Sequence, residues 1–280
     1  MMKKARILLF TLTILCLSFA GAIAQNSNIV KTNLSSAEID RIVKTFTANE
    51  ATFRAALANY NFNRSATIQT VGMGGQITGT FRRDSVMNLS PEGTRFERIL
   101  FAPVSTLTEI TITPEDLEDL GGLNPFALEP SAVSQYNFSY VGKEKIDDLN
   151  LYVFDATPKV IPDPKKTKLR LFTGRVWVDD QDLLIVKSKG KAIPETKNNK
   201  YPVVETWREN IDGKFWFPSY IASDDELVFG NGQAVKLKMR VKYTDYKQGR
   251  SEVIILDDDQ EIKEEAPKAK PTPSPTPKKP

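Results

Sequence analysis

The sequence predicts an α+β protein built on one large antiparallel sheet that curls strongly, open or nearly closed, with helices on one side of it. Three observations lead there. In 235–243 the odd positions Val235, Leu237, Met239, Val241 and Tyr243 are apolar and the even positions Lys236, Lys238, Arg240 and Lys242 are cationic. That period-two pattern belongs to a strand with one buried and one wet face. The second half of the chain is a series of such runs separated by turn signals, and so many strands in one domain call for a sheet that curls. An amphipathic segment ahead of consecutive hairpins makes the layers α+β.

In chain order, Lys3, Lys4 and Arg6 precede an apolar run over 7–19, and Ala22-Ile23-Ala24 places small residues before Gln25. Basic, apolar and small-residue regions in that order predict a signal peptide over 1–24, cleaved after Ala24. The run is short of the roughly 20 residues that a bilayer span needs. The single cysteine, Cys16, lies inside it behind Leu15, which is too large for a lipidation site, so the mature chain is expected to carry neither a cysteine nor a lipid anchor. Ser35-Ser-Ala-Glu38 has capping-box spacing. Ile39, Ile42, Val43, Phe46, Phe53, Leu57 and Tyr60 then recur at three- and four-residue steps, which predicts a helix of about seven turns. Its mixed polar face (Asp40, Arg41, Lys44, Arg54) favours packing on a sheet over lying on a membrane.

Strands are expected at 63–71, 76–89 and 94–101, turning at Gly72–Gly75 and at Pro91-Glu-Gly93. Thr113-Pro114-Glu115-Asp116 predicts a helix start with proline at the first position and acids at the positive end of the dipole, running to Gly121-Gly122. The apolar, proline-broken stretch that follows is either a loop packed on the core or a mobile lid; the lid residues are Leu117, Leu120, Leu123, Phe126 and Leu128. Further strands are predicted at 136–143, 149–156, 168–179, 183–190, 201–210, 214–222, 227–229 and 235–245, with 251–256 as a last edge strand. Asp179-Asp180-Gln-Asp182 and Asn210-Ile-Asp-Gly213 form hairpin turns. Residues 25–259 make one domain. The Lys/Pro-rich 260–280 is too poor in apolar residues to bury a core, and is expected to be a disordered tail with polyproline II character.

Composition excludes whole classes of function. The chain has no histidine, which removes Ser-His-Asp and Cys-His relays and most zinc chemistry. It has no P-loop, and Val71-Gly-Met-Gly-Gly75 is not a dinucleotide fingerprint. Carboxylates remain, but no pair stands out, so no enzyme activity, metal or cofactor is expected. The three cations of 1–24 account for the formal net charge of +3. A near-neutral mature chain argues against nucleic acid, and Asp224, Asp225, Glu226 and Asp245 favour a solvated face for the lysine stripe.

Three strand motifs carry a family resemblance. Tyr136-Asn-Phe-Ser-Tyr-Val-Gly-Lys-Glu-Lys-Ile-Asp-Asp-Leu, then Leu151-Tyr-Val-Phe-Asp-Ala, then Gly174-Arg-Val-Trp-Val-Asp179 resemble the outer-membrane lipoprotein-sorting (LolA/LolB-like) proteins. Asn210-Ile-Asp-Gly-Lys-Phe-Trp-Phe-Pro218 resembles a segment of their larger secreted members. The resemblance spans roughly 37–257. It implies a half-barrel whose helices pack in or over the concave face, closing an apolar cavity. It also implies a periplasmic carrier or chaperone, acting as a monomer, that takes a lipoprotein or lipid from inner-membrane donors to outer-membrane acceptors. The chain departs from the family in its length and its tail, and the family's lid-holding arginine is not matched to any one position here. RseB-like relatives suggest the alternative, an envelope-stress or assembly factor that binds a protein partner through the same sheet.

The bulky residues available to such a cavity are Phe81, Phe138, Tyr140, Tyr152, Phe154, Trp177, Trp207, Phe215, Phe217, Phe229, Leu237 and Met239. Each is equally an ordinary core residue. Together, on one face of a curled sheet, they either pack against the helices or leave a space of lipid size.

Overall fold

A computed structural model describes residues 28–90, 92–114, 116 and 133–249. Helix α1 (Ser36–Leu57) starts at the capping box: Ser35 Oγ accepts from the Glu38 amide while the Glu38 carboxylate accepts from the Ser35 amide. Its 22 residues make about six turns rather than seven. The last apolar residue expected on it, Tyr60, instead opens the first strand. Arg95 donates to the Leu57 carbonyl at the other end (2.7 Å), placing a cation on the negative pole of the helix.

Ten strands follow: β1 (Tyr60–Val71), β2 (Ile77–Leu89), β3 (Arg95–Phe101), β4 (Tyr136–Ile146), β5 (Leu149–Pro158), β6 (Leu171–Asp179), β7 (Ile185–Ile193), β8 (Val204–Ile211), β9 (Phe215–Val228) and β10 (Ala234–Gln248). They form one antiparallel sheet in the order β3-β2-β1-β10-β9-β8-β7-β6-β5-β4. β3 and β4 are its outer strands and do not pair with each other, so the sheet is open. The strands expected at 214–222 and 227–229 are one, β9, because Ser223–Glu226 stay in register with β10. In the β8–β9 hairpin Asp212 and Gly213 both take positive φ (54° and 68°), as a tight hairpin turn demands. The expected 251–256 strand, the tail and the signal peptide lie outside the described residues, as does most of the helix expected after Thr113.

One helix, not several, packs on the sheet among the described residues. Its first half (Ile42, Val43, Phe46) is buried with Tyr136, Phe154, Phe172, Val176 and Ile185 of β4–β7. Its last half (Phe53, Leu57) is buried with Phe62, Phe217, Val241 and Tyr243 of β1, β9 and β10. The helix therefore crosses the strands, and midway Glu50 is clamped by Arg208 of β8 through two hydrogen bonds of 2.6 and 2.9 Å. In β10 the odd residues from Val235 to Tyr243 are buried. Opposite them on the other face Lys236 stands across from Glu226, and Lys238 from Asp224, so the lysine stripe is a solvated outer face with acidic neighbours.

The two edges are treated differently. Val30 exchanges backbone hydrogen bonds with Lys143 on the open side of β4 (2.7 and 2.9 Å). The segment then passes from Ile29, in the outer-face cluster, to Leu34, in the helix-side cluster. Along β3 no described strand pairs on the outer side.

Candidate ligand-binding cavity

Beyond the C-terminal half of α1, the helix-side face of the sheet is covered by a strap of chain, and a cavity of about 520 Å³ opens between them. Its floor is apolar: Ile68 of β1, Leu237 and Met239 of β10, Ile221 and Leu227 of β9, and Val204 of β8. These side chains share one face because each strand alternates, and they join the cluster that buries Phe53 and Leu57. The roof is the strap at 106–113, which turns Leu107, Ile110 and Ile112 toward that cluster. Phe229 and the loop around Asn198–Pro202 close the far end. The cavity lies within the roughly 300–1,000 Å³ of ordinary small-ligand sites.

The strap is pinned along its length. Thr106 and Thr80 exchange hydrogen bonds, with the Thr106 amide on the Thr80 carbonyl (3.0 Å) and the Thr80 amide on the Thr106 hydroxyl (2.9 Å). Gly79 permits this approach: a Cβ there would lie 2.7 Å from the Thr106 carbonyl oxygen and 2.9 Å from Leu107 Cα. The Glu109 carboxylate accepts from the Thr70 hydroxyl at 2.9 Å, and Thr78 backs Thr70 at 2.8 Å. These hydroxyls, Thr70 first and then Thr78, hold Glu109 below the ordinary carboxylate pKa. At the far end Thr113 and Asp116 exchange the hydrogen bonds of a helix cap. Arg170 donates to Asp116 at 3.2 Å while lying 4.8 Å from the Tyr201 ring centroid. The cap expected from Thr113-Pro114-Glu115-Asp116 is thus present, and it serves as an anchor for the strap.

Of the bulky residues expected at a cavity, Phe229, Leu237 and Met239 line this one. Phe81 is half-buried against the same cluster. Phe215 and Phe217 stack under the end of α1 with Tyr60 and Phe53 as neighbours, and Phe217 is fully buried. Phe138, Tyr140, Tyr152 and Phe154 pack in the other cluster, around Phe46 and Val43. Trp177 and Trp207 are a correction: they stand on the opposite face. Strand alternation sends Phe172, Val176 and Val178 to the helix side and Trp177 outward, onto Leu151, Val153 and Val186. Lys187 sits between the indoles, 4.8 Å from Trp177 and 3.9 Å from Trp207, with the Glu205 carboxylate 3.2 Å away.

The expected lid residues Leu117, Leu120, Leu123, Phe126 and Leu128 lie outside the described residues. The roof that is described was missed in the sequence. Its signal was the run Leu107-Thr-Glu-Ile110-Thr-Ile112-Thr, apolar residues spaced among threonines, together with a glycine at 79 in an otherwise bulky strand. Among the described residues no three potential metal ligands cluster, and no helix is long and apolar enough to cross a membrane.

No family model matches the sequence, and no curated protein matches it as a relative. Solved structures similar to the chain include a DUF1329 family protein from Desulfovibrio piger, at 13% identity over 74% of this chain and 92% of that one, with a TM-score of 0.37. A LolA superfamily protein from Nitrosomonas europaea is 12% identical over 76% of this chain and 93% of its own, with a TM-score of 0.33. MucB is 13% identical over 75% of this chain and 94% of its own, with a TM-score of 0.24.

Proposed function

We propose that this protein is a non-catalytic periplasmic carrier that holds the apolar chain of a lipoprotein or another acylated, amphiphilic ligand between sheet and strap, and moves it toward the outer membrane. One observation carries the proposal: a half-open space of about 520 Å³ with an apolar floor and an apolar roof, Ile110 and Ile112 facing Ile221, Leu227, Leu237 and Met239. Burial of acyl methylenes contributes about 0.8 kcal/mol each. Ten of them supply about 8 kcal/mol before the costs of confinement, the scale of a micromolar complex. Delivery to the periplasm rests on the signal-like 1–24.

Native mass spectrometry with solvent extraction, on mature protein taken from its own periplasm, tests the carrier. The expected result is a mass addition that extracts as lipid or acylated peptide, with uptake of a fluorescent fatty-acyl probe that is lost in Ile221→Trp, which fills the floor. A clean apo mass together with no probe uptake overturns it. A second reading, a protein partner bound through the same sheet, is favoured by β3. Among the described residues no strand pairs on its outer edge, and Ile99, Leu100 and Phe101 are exposed there in succession, at 48, 57 and 49%, a row that an added strand would cover. A stable complex that is lost on Leu100→Lys, with probe uptake absent from the start, would put that reading first.

A further inference from the structure

Resting on the protein-partner reading, we propose that the β3 edge takes an extended segment of another protein as a further strand, one in which an acidic residue stands between two apolar residues at alternate positions. Pairing with β2 fixes which way β3 presents its side chains. Arg95, Glu97 and Ile99 stand opposite Leu89, Met87 and Ser85, which are buried, whereas Phe96 and Arg98 stand opposite Asn88 and Val86 on the other face. A bulge at Leu100 then brings Phe101 opposite Asp84. Along the outer face the order is therefore Phe96, Arg98 and the Leu100–Phe101 bulge, a cation between two apolar positions. Side chains directly opposite one another on a sheet face are neighbours. An added strand matches that order with apolar, acidic and apolar side chains at every second residue.

The charge around the edge has the matching sign. Residues 60–101 carry five guanidiniums, on Arg64, Arg82, Arg83, Arg95 and Arg98, against three carboxylates, on Asp84, Glu92 and Glu97. Glu97 is shared by Arg64 and Arg83, and Asp84 is taken by Arg82. Arg98 is exposed and is in no ion pair among the described residues. Asp245, the one acid of β10 behind β1, is outnumbered by that strand's own cations. Glu109 of the strap sits on Thr70, seven residues along β1 from Asn63, which shares a row with Val86 and Arg98. That is about 23 Å, well beyond the screening length of about 8 Å. Arginines and a bulge on an edge deter pairing between copies, because two β3 edges would set guanidinium against guanidinium. The same charges draw an acidic strand. The chain's own acidic and apolar stretch, 251–259, starts too near its anchor to serve from within the molecule. Residues 250–253 span about 14 Å at most, and the place beyond β3 is four strand spacings, about 19 Å, from the end of β10.

The test adds labelled, threonine-rich peptides to the full mature protein and reads anisotropy together with amide exchange of β3. Three peptides are identical except at a central residue flanked at alternate positions by valine and isoleucine; that residue is glutamate, glutamine or lysine. The expected result is protection of 95–101 by the glutamate peptide. The dissociation constant should be about fivefold higher for glutamine, the size of one cross-strand ion pair, and higher again for lysine, with the differences shrinking at high salt. Arg98→Glu, at an exposed position with no ion pair to lose, should exchange the preference to lysine over glutamate. Equal binding of the three peptides, or no exchange of preference in Arg98→Glu, overturns the acidic selection and leaves the partner reading standing. Glutamate-peptide binding without protection of 95–101 overturns the added strand. Self-association of the protein alone that protects 95–101 overturns the outside partner. No binding of any peptide overturns the proposal, while the native complex tested with Leu100→Lys decides the partner reading separately.

Discussion

The Glu50–Arg208 clamp is the interaction on which α1 depends most sharply. Glu50 is 0% exposed and the Arg208 side chain 7%. The guanidinium also donates to the Ile185 carbonyl at 3.2 Å and lies 4.3 Å from the Phe53 ring centroid, so it touches the helix, β7 and β8 at once. Removing one partner of a buried pair strands the other's charge and costs about 3–5 kcal/mol. Glu50→Gln retains one acceptor oxygen but turns its NH₂ toward the guanidinium, so the loss should lie near the lower figure. With a urea m-value of about 2–3 kcal/mol/M, the unfolding midpoint should fall by about 1 M or more at unchanged m. Arg208→Met should cost as much or more. The double variant Glu50→Leu/Arg208→Met removes both charges and should recover much of the loss, because a packed apolar pair is often as stable as a buried ionic one. Urea unfolding of the four proteins by tryptophan fluorescence decides it. A single-variant loss below about 1 kcal/mol, or a double variant as unstable as the two singles summed, refutes the argument that the charges are tied to each other.

The strap and the sheet yield further tests. Gly79→Ala forces a Cβ to 2.7 Å from the Thr106 carbonyl, so the strap must lift; acyl-probe dissociation measured by stopped flow should accelerate while the fold persists. Gly190→Ala puts a Cβ 2.3 Å from the Phe172 ring and 2.4 Å from the Thr173 carbonyl, and should cost about 1–3 kcal/mol as an overpacked core site, read by thermal unfolding. Ser35→Ala removes the reciprocal cap of α1 and should cost about 1 kcal/mol by the same measurement. Glu109 is held below its ordinary pKa by hydroxyl hydrogen bonds. Its anchoring of the strap is therefore fully present above an unfolded value of about 4.3 and is lost as pH falls through the lower folded value. Amide exchange at 107–112 should rise across that acid range in the wild type and show no such step in Glu109→Gln.

Much of the sheet was legible because its signal is local. Alternation in Val235–Tyr243 states which face of β10 is buried without reference to any other strand, and Ser35 with Glu38 marks the helix start within four residues. Parity alone, however, cannot say which of two apolar faces looks toward the helix. In β6 both Trp177 and its neighbours Val176 and Val178 are apolar, and only pairing with β5 and β7 sends the indole outward. The roof was illegible for a different reason. The strap forms no strand or long helix, and what holds it is a set of single hydrogen bonds to residues 26 to 54 positions away. A threonine, a glutamate and a glycine in a sheet-rich sequence are ordinary until the chain brings them together.

The same distinction bears on how a ligand could enter. The floor of the cavity is continuous with the core beneath α1, sharing Ile68, Ile221, Leu227, Leu237 and Met239 with the cluster of Phe53 and Leu57, so the floor cannot yield without breaking the helix–sheet packing. The roof is separable. It rests on the sheet through three half-buried apolar residues, Leu107, Ile110 and Ile112, and a few polar pins at Thr80, Thr70 and Arg170. Few buried contacts and exposed hydrogen bonds are the marks of a segment that opens at small cost while the remainder stays folded. On the carrier proposal, a rigid apolar floor under a lightly pinned roof would let an acyl chain displace the strap from the sheet without disturbing the ten-stranded framework.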